Sequence, residues 1–153
     1  MSARPRHVLA ISSGGGHWVQ LKRVLSAFDG HELTCVTVHS DLARDVPFAK
    51  RFFVIPDANR WNKLALLRSA TKIAWILLRT RPDVVISTGA APGWFGLVVG
   101  KLLRARTVWI DSIANAEELS LSGQKAERWA DLWLTQWPHL ARPEGPRYLG
   151  SVL

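Results

Sequence analysis

The chain has 153 residues, enough for one domain with a proper core. Its 48% hydrophobic content, single cysteine and lack of zinc-ligand spacing exclude a disordered chain, a disulfide framework and a zinc module, and suit a reducing compartment. Twenty Lys and Arg against twelve Asp and Glu leave a net charge of +8, accompanied by eight tryptophans, so an anionic partner is expected, either a membrane surface or a nucleic acid.

The first element is a strand over 7–12, from the apolar run Val8-Leu9-Ala10-Ile11. Arg4 and Arg6 precede it, but the run is too short for a secretory signal. It ends in Ser12-Ser13-Gly14-Gly15-Gly16-His17, and a helix over 17–28 follows with Leu21, Val24, Leu25 and Phe28 on one face. A glycine loop opening a helix presents backbone N–H groups to an anion, most often a phosphate. Neither common phosphate fingerprint fits. The dinucleotide pattern needs Gly or Ala where Val19 stands, and the P-loop needs Lys after Gly16, where His17 stands. His17 is either a proton-moving group near neutral pH or a helix-start residue bonded to backbone.

A strand over 32–38 exits through His39 and Ser40 rather than through an acid, and Cys35 within it is expected to be buried and inert. A short strand over 51–55 leads to a helix over 60–80. Residues 58–82 carry Arg60, Lys63, Arg68, Lys72, Arg79 and Arg81 with no acid before Asp83. Helical projection puts Leu66, Ala70, Ile73 and Leu77 on the core face and Trp61, Arg68, Lys72, Trp75 and Arg79 opposite. Exposed tryptophan among basic side chains suits an anionic bilayer, and the aromatics form no stacking platform for nucleic acid.

The second half alternates again: strand 83–88, small-residue loop 88–93, helix 94–104, strand 107–111, helix 122–130, strand 131–136 and a short strand near 147–149. The longest uncharged stretch, 84–100, holds Pro92 and four glycines, so it is not a membrane span. Trp109 and Trp133 lie inside strands and are expected in the core. Alternating strands and helices predict an α/β fold, a doubly wound parallel sheet with ligands at the carboxyl ends of its strands. Four endings then share a rim: Ser12–His17, Ser87–Gly93, Asp111-Ser112 and Gln136-Trp137. Asp111 either adds a carboxylate to that rim or caps a turn with Ser112, and Gln136 is expected to be structural.

These motifs resemble a family. Ser12–His17 with Gln20-Leu21, Ser87-Thr88-Gly89-Ala90 with Pro92-Gly93, Asp111-Ser112 before Leu119-Ser120-Leu121-Ser122-Gly123, Ala130-Asp131 with Gln136-Trp137, and the ending Tyr148–Leu153 follow the order found in the membrane-associated acceptor subunit of split glycosyltransferases. That subunit serves the two-protein enzyme that adds the second N-acetylglucosamine to a dolichol diphosphate sugar, and bacterial relatives serve exopolysaccharide synthesis. The chain is also similar to the N-terminal half of the GT-B peptidoglycan N-acetylglucosaminyltransferase.

The resemblance implies a single Rossmann-like domain of GT-B N-terminal type over 1–153. It implies a two-component inverting transferase whose separate donor-binding subunit holds the UDP-sugar, UDP-N-acetylglucosamine or UDP-glucuronic acid, with no metal and no cofactor. The acceptor is a polyprenyl-diphosphate-linked sugar, faced by Ser13, Gly14, Gly15, Gly16, Thr88, Gly89, Ala90, Gly93 and Ser112. His17 and Asp111 are rival bases for the attacking hydroxyl. Attachment is peripheral, on the cytoplasmic face of the membrane, through Trp61, Arg68, Lys72, Trp75 and Arg79. Trp18 stands where the family uses a smaller apolar residue and is expected to add interfacial contact. Two other functions compete: a non-catalytic scaffold that recruits a complete enzyme, and a basic nucleic-acid-binding module.

Overall fold

A computed structural model describes residues 4–152. Its elements are β1 (His7–Ile11), α1 (Gly16–Val24), β2 (Glu32–Thr37), β3 (Arg51–Val54), α2 (Lys63–Thr80), β4 (Val84–Ser87), α3 (Ala90–Leu102), β5 (Arg106–Ile110), α4 (Leu121–Ala126), β6 (Leu132–Thr135) and β7 (Arg147–Tyr148), with short 3₁₀ turns at 25–28, 40–45 and 138–140. All seven strands are parallel, in the order β3-β2-β1-β4-β5-β6-β7. The order reverses between β1 and β4, so the loops after these two strands diverge and leave a crevice at the carboxyl edge.

Side chains alternate across the sheet as the strand period requires. Leu9, Ile11, Val36, Val85 and Trp109 face α2, α3 and α4, where Ile73, Ile76, Leu77, Leu97 and Ala126 meet them. Val8, Ala10, Leu33, Cys35, Ile86 and Ile110 face α1, with Trp18, Leu21 and Leu25. Trp109 is fully buried, whereas Trp133 is half-buried against the first cluster. Burial pushes the Cys35 thiol up to about 12, so it stays protonated and inert.

Several boundaries move: the helix expected over 122–130 ends at Ala126, and three others shift for a local reason. The helix expected over 17–28 tightens into a 3₁₀ turn after Val24. The one expected from 60 begins at Lys63, because the Asn62 side chain accepts the Ala65 N–H at 3.0 Å, and Trp61 therefore lies in the turn before it. The one expected from 94 begins at Ala90, which shortens the loop after β4 to Thr88-Gly89. That early start is possible because α3 lies close to the sheet. A Cβ on Gly96 would stand 2.9 Å from Ile11, one on Gly100 would stand 2.7 Å from Val85, and one on Gly93 would overlap the Ser87 hydroxyl.

Trp18 is a correction. It is 2% exposed, packs edge-on to Phe52 at 6.2 Å and donates its indole N–H to Asp45 at 2.9 Å, so it belongs to the core and offers nothing to an interface. Lys22 donates to the same Asp45 oxygen at 2.9 Å, and these two contacts hold the carboxyl below its ordinary value.

His7 fixes the start of β1. Its Nδ1–H donates to the Thr80 carbonyl at 3.2 Å and Nε2 accepts the Thr34 hydroxyl at 2.7 Å, a pairing that the neutral ring satisfies. Burial lowers its pKa from the ordinary 6.5. A folded-state value below the unfolded one contributes stability that is present above the unfolded pKa and lost as pH falls through the folded one. Urea midpoints taken from about pH 8 to about pH 5 should therefore drop below the ordinary histidine pKa, and His7→Gln should flatten that slope.

Candidate functional site

The crevice is built from two loops that hold each other. Gly15 adopts φ 63°, which frees the backbone to turn from β1 into α1 with no side chain in the way. The first turn of α1 then points its unpaired N–H groups at the carboxyl edge. Beside it, Gly89 (φ 138°) and Ala90 (φ 67°) turn β4 into α3. A left-handed alanine costs about 1 kcal/mol, a strain of the kind that gathers at ligand edges.

His17 and Thr88 exchange two hydrogen bonds. The Thr88 hydroxyl donates to the His17 carbonyl at 2.6 Å, and His17 Nδ1 lies 3.0 Å from the Thr88 carbonyl. A carbonyl only accepts, so Nδ1 carries the proton and the lone pair sits on Nε2. His17 therefore bonds the backbone and still keeps a basic nitrogen. The half-buried ring lies directly over Gly89, where a Cβ would stand 2.5 Å from Nδ1 and 2.6 Å from Cε1. Glycine at 89 is the space this imidazole occupies.

Asp111 lies elsewhere. It is 1% exposed and both oxygens are occupied. Oδ1 accepts the Trp109 indole N–H at 3.1 Å and the Ser120 hydroxyl at 2.6 Å, while Oδ2 accepts the Ser120 N–H at 3.0 Å and the Asn115 amide at 3.1 Å. It fastens the loop after β5 to the start of α4, where the Ser120 hydroxyl accepts the Gly123 N–H at 2.8 Å. A Cβ on Gly123 would overlap the Asp111 carboxylate. In this arrangement Asp111 positions a loop and presents no free lone pair to the crevice.

Ser112 is likewise enclosed. Its hydroxyl accepts the Gln20 amide at 3.1 Å and the Ala114 N–H at 3.2 Å. Gln20, one turn beyond His17, also accepts the Ile113 N–H at 3.0 Å and the Gln136 amide at 2.5 Å. Gln136 donates to the Asp111 carbonyl at 3.0 Å and accepts the Val152 N–H at 2.7 Å. This buried amide ladder ties α1 to the ends of β5 and β6. Sequence reasoning gave Gln136 a structural part and said nothing of the pairing, because a contact between residues 20 and 136 leaves no periodic trace. Of the remaining rim residues, Gly15 and Gly16 are exposed, Ser13, Gly14 and Ala90 are half-buried, and Thr88, Gly89 and Gly93 are buried.

The outer face of α2 is wider than the projection suggested. Trp61 is 80% exposed and Trp75 53%, and Leu64, Leu67 and Leu78 join them at 58, 60 and 51%. Arg68, Lys72 and Arg79 are exposed on the same side. The guanidinium of Arg60 lies 4.9 Å from the Trp61 ring, that of Arg79 lies 5.9 Å from Trp75, and Trp75 leans edge-on to Phe53. The buried face is Ser69, Ile73, Ile76 and Leu77, with Leu66 and Ala70 only half-buried. No helix among the described residues is long and apolar enough to cross a membrane.

The larger cavities lie away from the crevice. One of about 520 Å³ at the opposite edge is lined by Arg4, His7, Glu32, Arg51, Arg81 and Asp83 among others.

Comparison with known proteins bears on the family and the fold. Residues 61–152 match the family described as oligosaccharide biosynthesis protein Alg14 like. The UDP-N-acetylglucosamine transferase subunit ALG14 of Eremothecium gossypii is 31% identical over 97% of this chain and 81% of its own. The subunit alg14 of Schizosaccharomyces pombe is 27% identical over 96% and 83%. Among solved structures, MurG of Acinetobacter baumannii superposes with a TM-score of 0.77 at 14% identity, covering 97% of this chain and 46% of MurG. A putative UDP-N-acetylglucosamine 2-epimerase of Listeria monocytogenes gives 0.66 at 13%, covering 88% and 39%. This chain thus has the fold of a part of those proteins and spans less than half their length.

The Asp111 network has a stability consequence. Asp111→Ala leaves the Trp109, Asn115 and Ser120 donors unpaired in the interior and is expected to lower the unfolding free energy by roughly 3 kcal/mol in urea titration. An unaltered midpoint would contradict the positioning part assigned to it.

Proposed function

The chain belongs to the Alg14-like family of oligosaccharide biosynthesis proteins, and from that premise we propose that it is the acceptor-side subunit of a two-component UDP-N-acetylglucosamine transferase, acting on a polyprenyl-diphosphate-linked sugar at the membrane. The observation that carries this reading is the His17–Thr88 clasp at the crevice between β1 and β4, where a fixed basic nitrogen stands among helix-start N–H groups suited to a diphosphate.

The chemistry follows from that placement. The N–H groups of Gly16, His17 and the start of α3 face the diphosphate of the acceptor, and Gly14–Gly16 and Gly89 let it approach the backbone. Nε2 of His17 takes the proton from the acceptor hydroxyl as that oxygen attacks the anomeric carbon of the UDP-sugar, and UDP leaves from the opposite face with inversion. Asp111 and Ser112 position the loop after β5. The donor is held by a separate subunit that closes the open edge, a reading supported by the naming of both relatives as transferase subunits.

The outer face of α2, with Trp61 in the turn before it, carries the membrane contact. Trp61, Leu64, Leu67, Trp75 and Leu78 enter the headgroup layer, and Arg68, Lys72 and Arg79 meet lipid phosphates. Attachment is peripheral, on the cytoplasmic leaflet, where the lipid-linked acceptor diffuses. A leucine stripe between the basic residues favours a bilayer over a nucleic acid, which offers nothing to bury it.

A transfer assay with a prenyl-diphosphate N-acetylglucosamine acceptor and UDP-N-acetylglucosamine tests the reading. Product is expected from this chain mixed with its donor-binding partner and from neither alone, and product from the partner alone would reduce this chain to a scaffold. In the mixture His17→Ala should cut kcat at least about 100-fold without loss of partner binding.

Replacing Arg68, Lys72 and Arg79 together with Gln should weaken binding to anionic vesicles roughly 100-fold, at about 1 kcal/mol per basic side chain, with little change in Tm. Unchanged cosedimentation would rule out this face.

A further inference from the structure

The glycine loop is flanked by a second histidine that none of the foregoing uses. His39 lies two residues beyond β2, the neighbour of β1, so it stands on the same carboxyl edge as the loop. The loop stays against β2 as it leaves the sheet, for the Ser12 N–H donates to the Val36 carbonyl at 3.2 Å. There the His39 ring lies over Gly14: a Cβ on residue 14 would stand 2.8 Å from Cδ2 and 3.2 Å from Nε2. An imidazole thus lies beside a glycine of each loop, His17 beside Gly89 and His39 beside Gly14.

The two rings differ in their bonding. His17 is clasped by Thr88, whereas His39 is exposed, makes no capping bond to the turn it opens, and takes part in none of the ion pairs among the described residues. Here the imidazole is laid against the backbone at the place where an anionic ligand would approach the helix start. Its nearest acid along the chain is Asp41, whose carbonyl accepts from Arg44.

We propose that His39 is a ligand-contacting residue of the crevice, donating a hydrogen bond to a diphosphate oxygen of the acceptor across Gly14 while His17 acts on the hydroxyl. The proposal rests on the acceptor-side reading given above. It divides the labour between the histidines: His17 governs turnover, and His39 governs acceptor affinity.

The test is steady-state kinetics of the chain with its donor-binding partner, using a short-chain prenyl-diphosphate N-acetylglucosamine as acceptor. His39→Phe keeps a ring over Gly14 and removes both nitrogens. It should raise the acceptor KM about tenfold, leaving kcat and the donor KM unchanged, and His39→Lys, which restores an N–H donor, should bring the KM back to within about threefold of the parent. An acceptor KM unaffected by His39→Phe, or a fall in kcat with no change in KM, overturns the proposal and leaves the acceptor-side reading standing. A parent pair that transfers to no prenyl-diphosphate acceptor overturns both. Should the phenyl ring lower Tm, His39→Ser read in the same way decides.

Discussion

Two hydrogen bonds between His17 and Thr88 set the geometry on which the crevice depends. Each residue gives the other a donor and a carbonyl, so the start of α1 and the end of β4 are fixed relative to one another in both translation and rotation. Much else at the edge follows. The imidazole must lie over residue 89, so residue 89 must be glycine; the chain then has to recover into α3 through a left-handed Ala90. Nδ1 is committed to a carbonyl, so the only basic nitrogen left is Nε2. A backbone contact that looks purely structural thereby selects the tautomer a general base requires.

Around this clasp the edge divides into a polar half that is fully paired and a half that is open. On the β5–β6 side Asp111, Ser112, Gln20 and Gln136 satisfy one another and the loop backbone, which makes that side rigid. On the β1–β4 side Gly15 and Gly16 are exposed, although the Gly89 N–H is taken by the Ser87 hydroxyl at 3.1 Å. The charge distribution is lopsided as well. Residues 58–82, which include α2, carry basic side chains without an acid, and the three ion pairs among the described residues, Lys22–Asp45, Lys50–Glu32 and Lys101–Asp131, all lie elsewhere. The positive charge of the chain is therefore largely uncompensated and available to an external anion.

The sheet was legible because its strands are short apolar runs between turn residues, and their alternation with helices leaves few topologies. Helix limits were less so. Asn62 as a cap and the early start of α3 at Ala90 depend on single side chains and on how closely α3 approaches β4. The rim was legible where signal is local, as in Gly14–His17 and Thr88-Gly89. It was not where partners are distant in sequence: nothing about Asp111 in the sequence says that Ser120, nine residues on, takes up its oxygens, and nothing about Gln20 announces Gln136. The pattern at the end of β2 says only that no acid stands there; that the His39 ring lies beside Gly14 depends on the packing of two neighbouring strands. The projection of α2 separates Leu66, Ala70, Ile73 and Leu77 from the basic residues, but it does not tell that Leu64, Leu67 and Leu78 stay exposed, because that depends on how much of the helix the sheet covers.

The seating of α3 has a mechanical corollary. The helix rests on Ile11 and Val85 through Gly96 and Gly100, and at 1.5 Å per residue Gly100 lies about 15 Å from the turn at Ala90. Near its tip the same helix is seated again, where Gly93 meets the Ser87 hydroxyl. With three seats along its length, α3 has no room to rock, so bulk added at any of them must lift the whole rod and carry Gly89 and Thr88 with it.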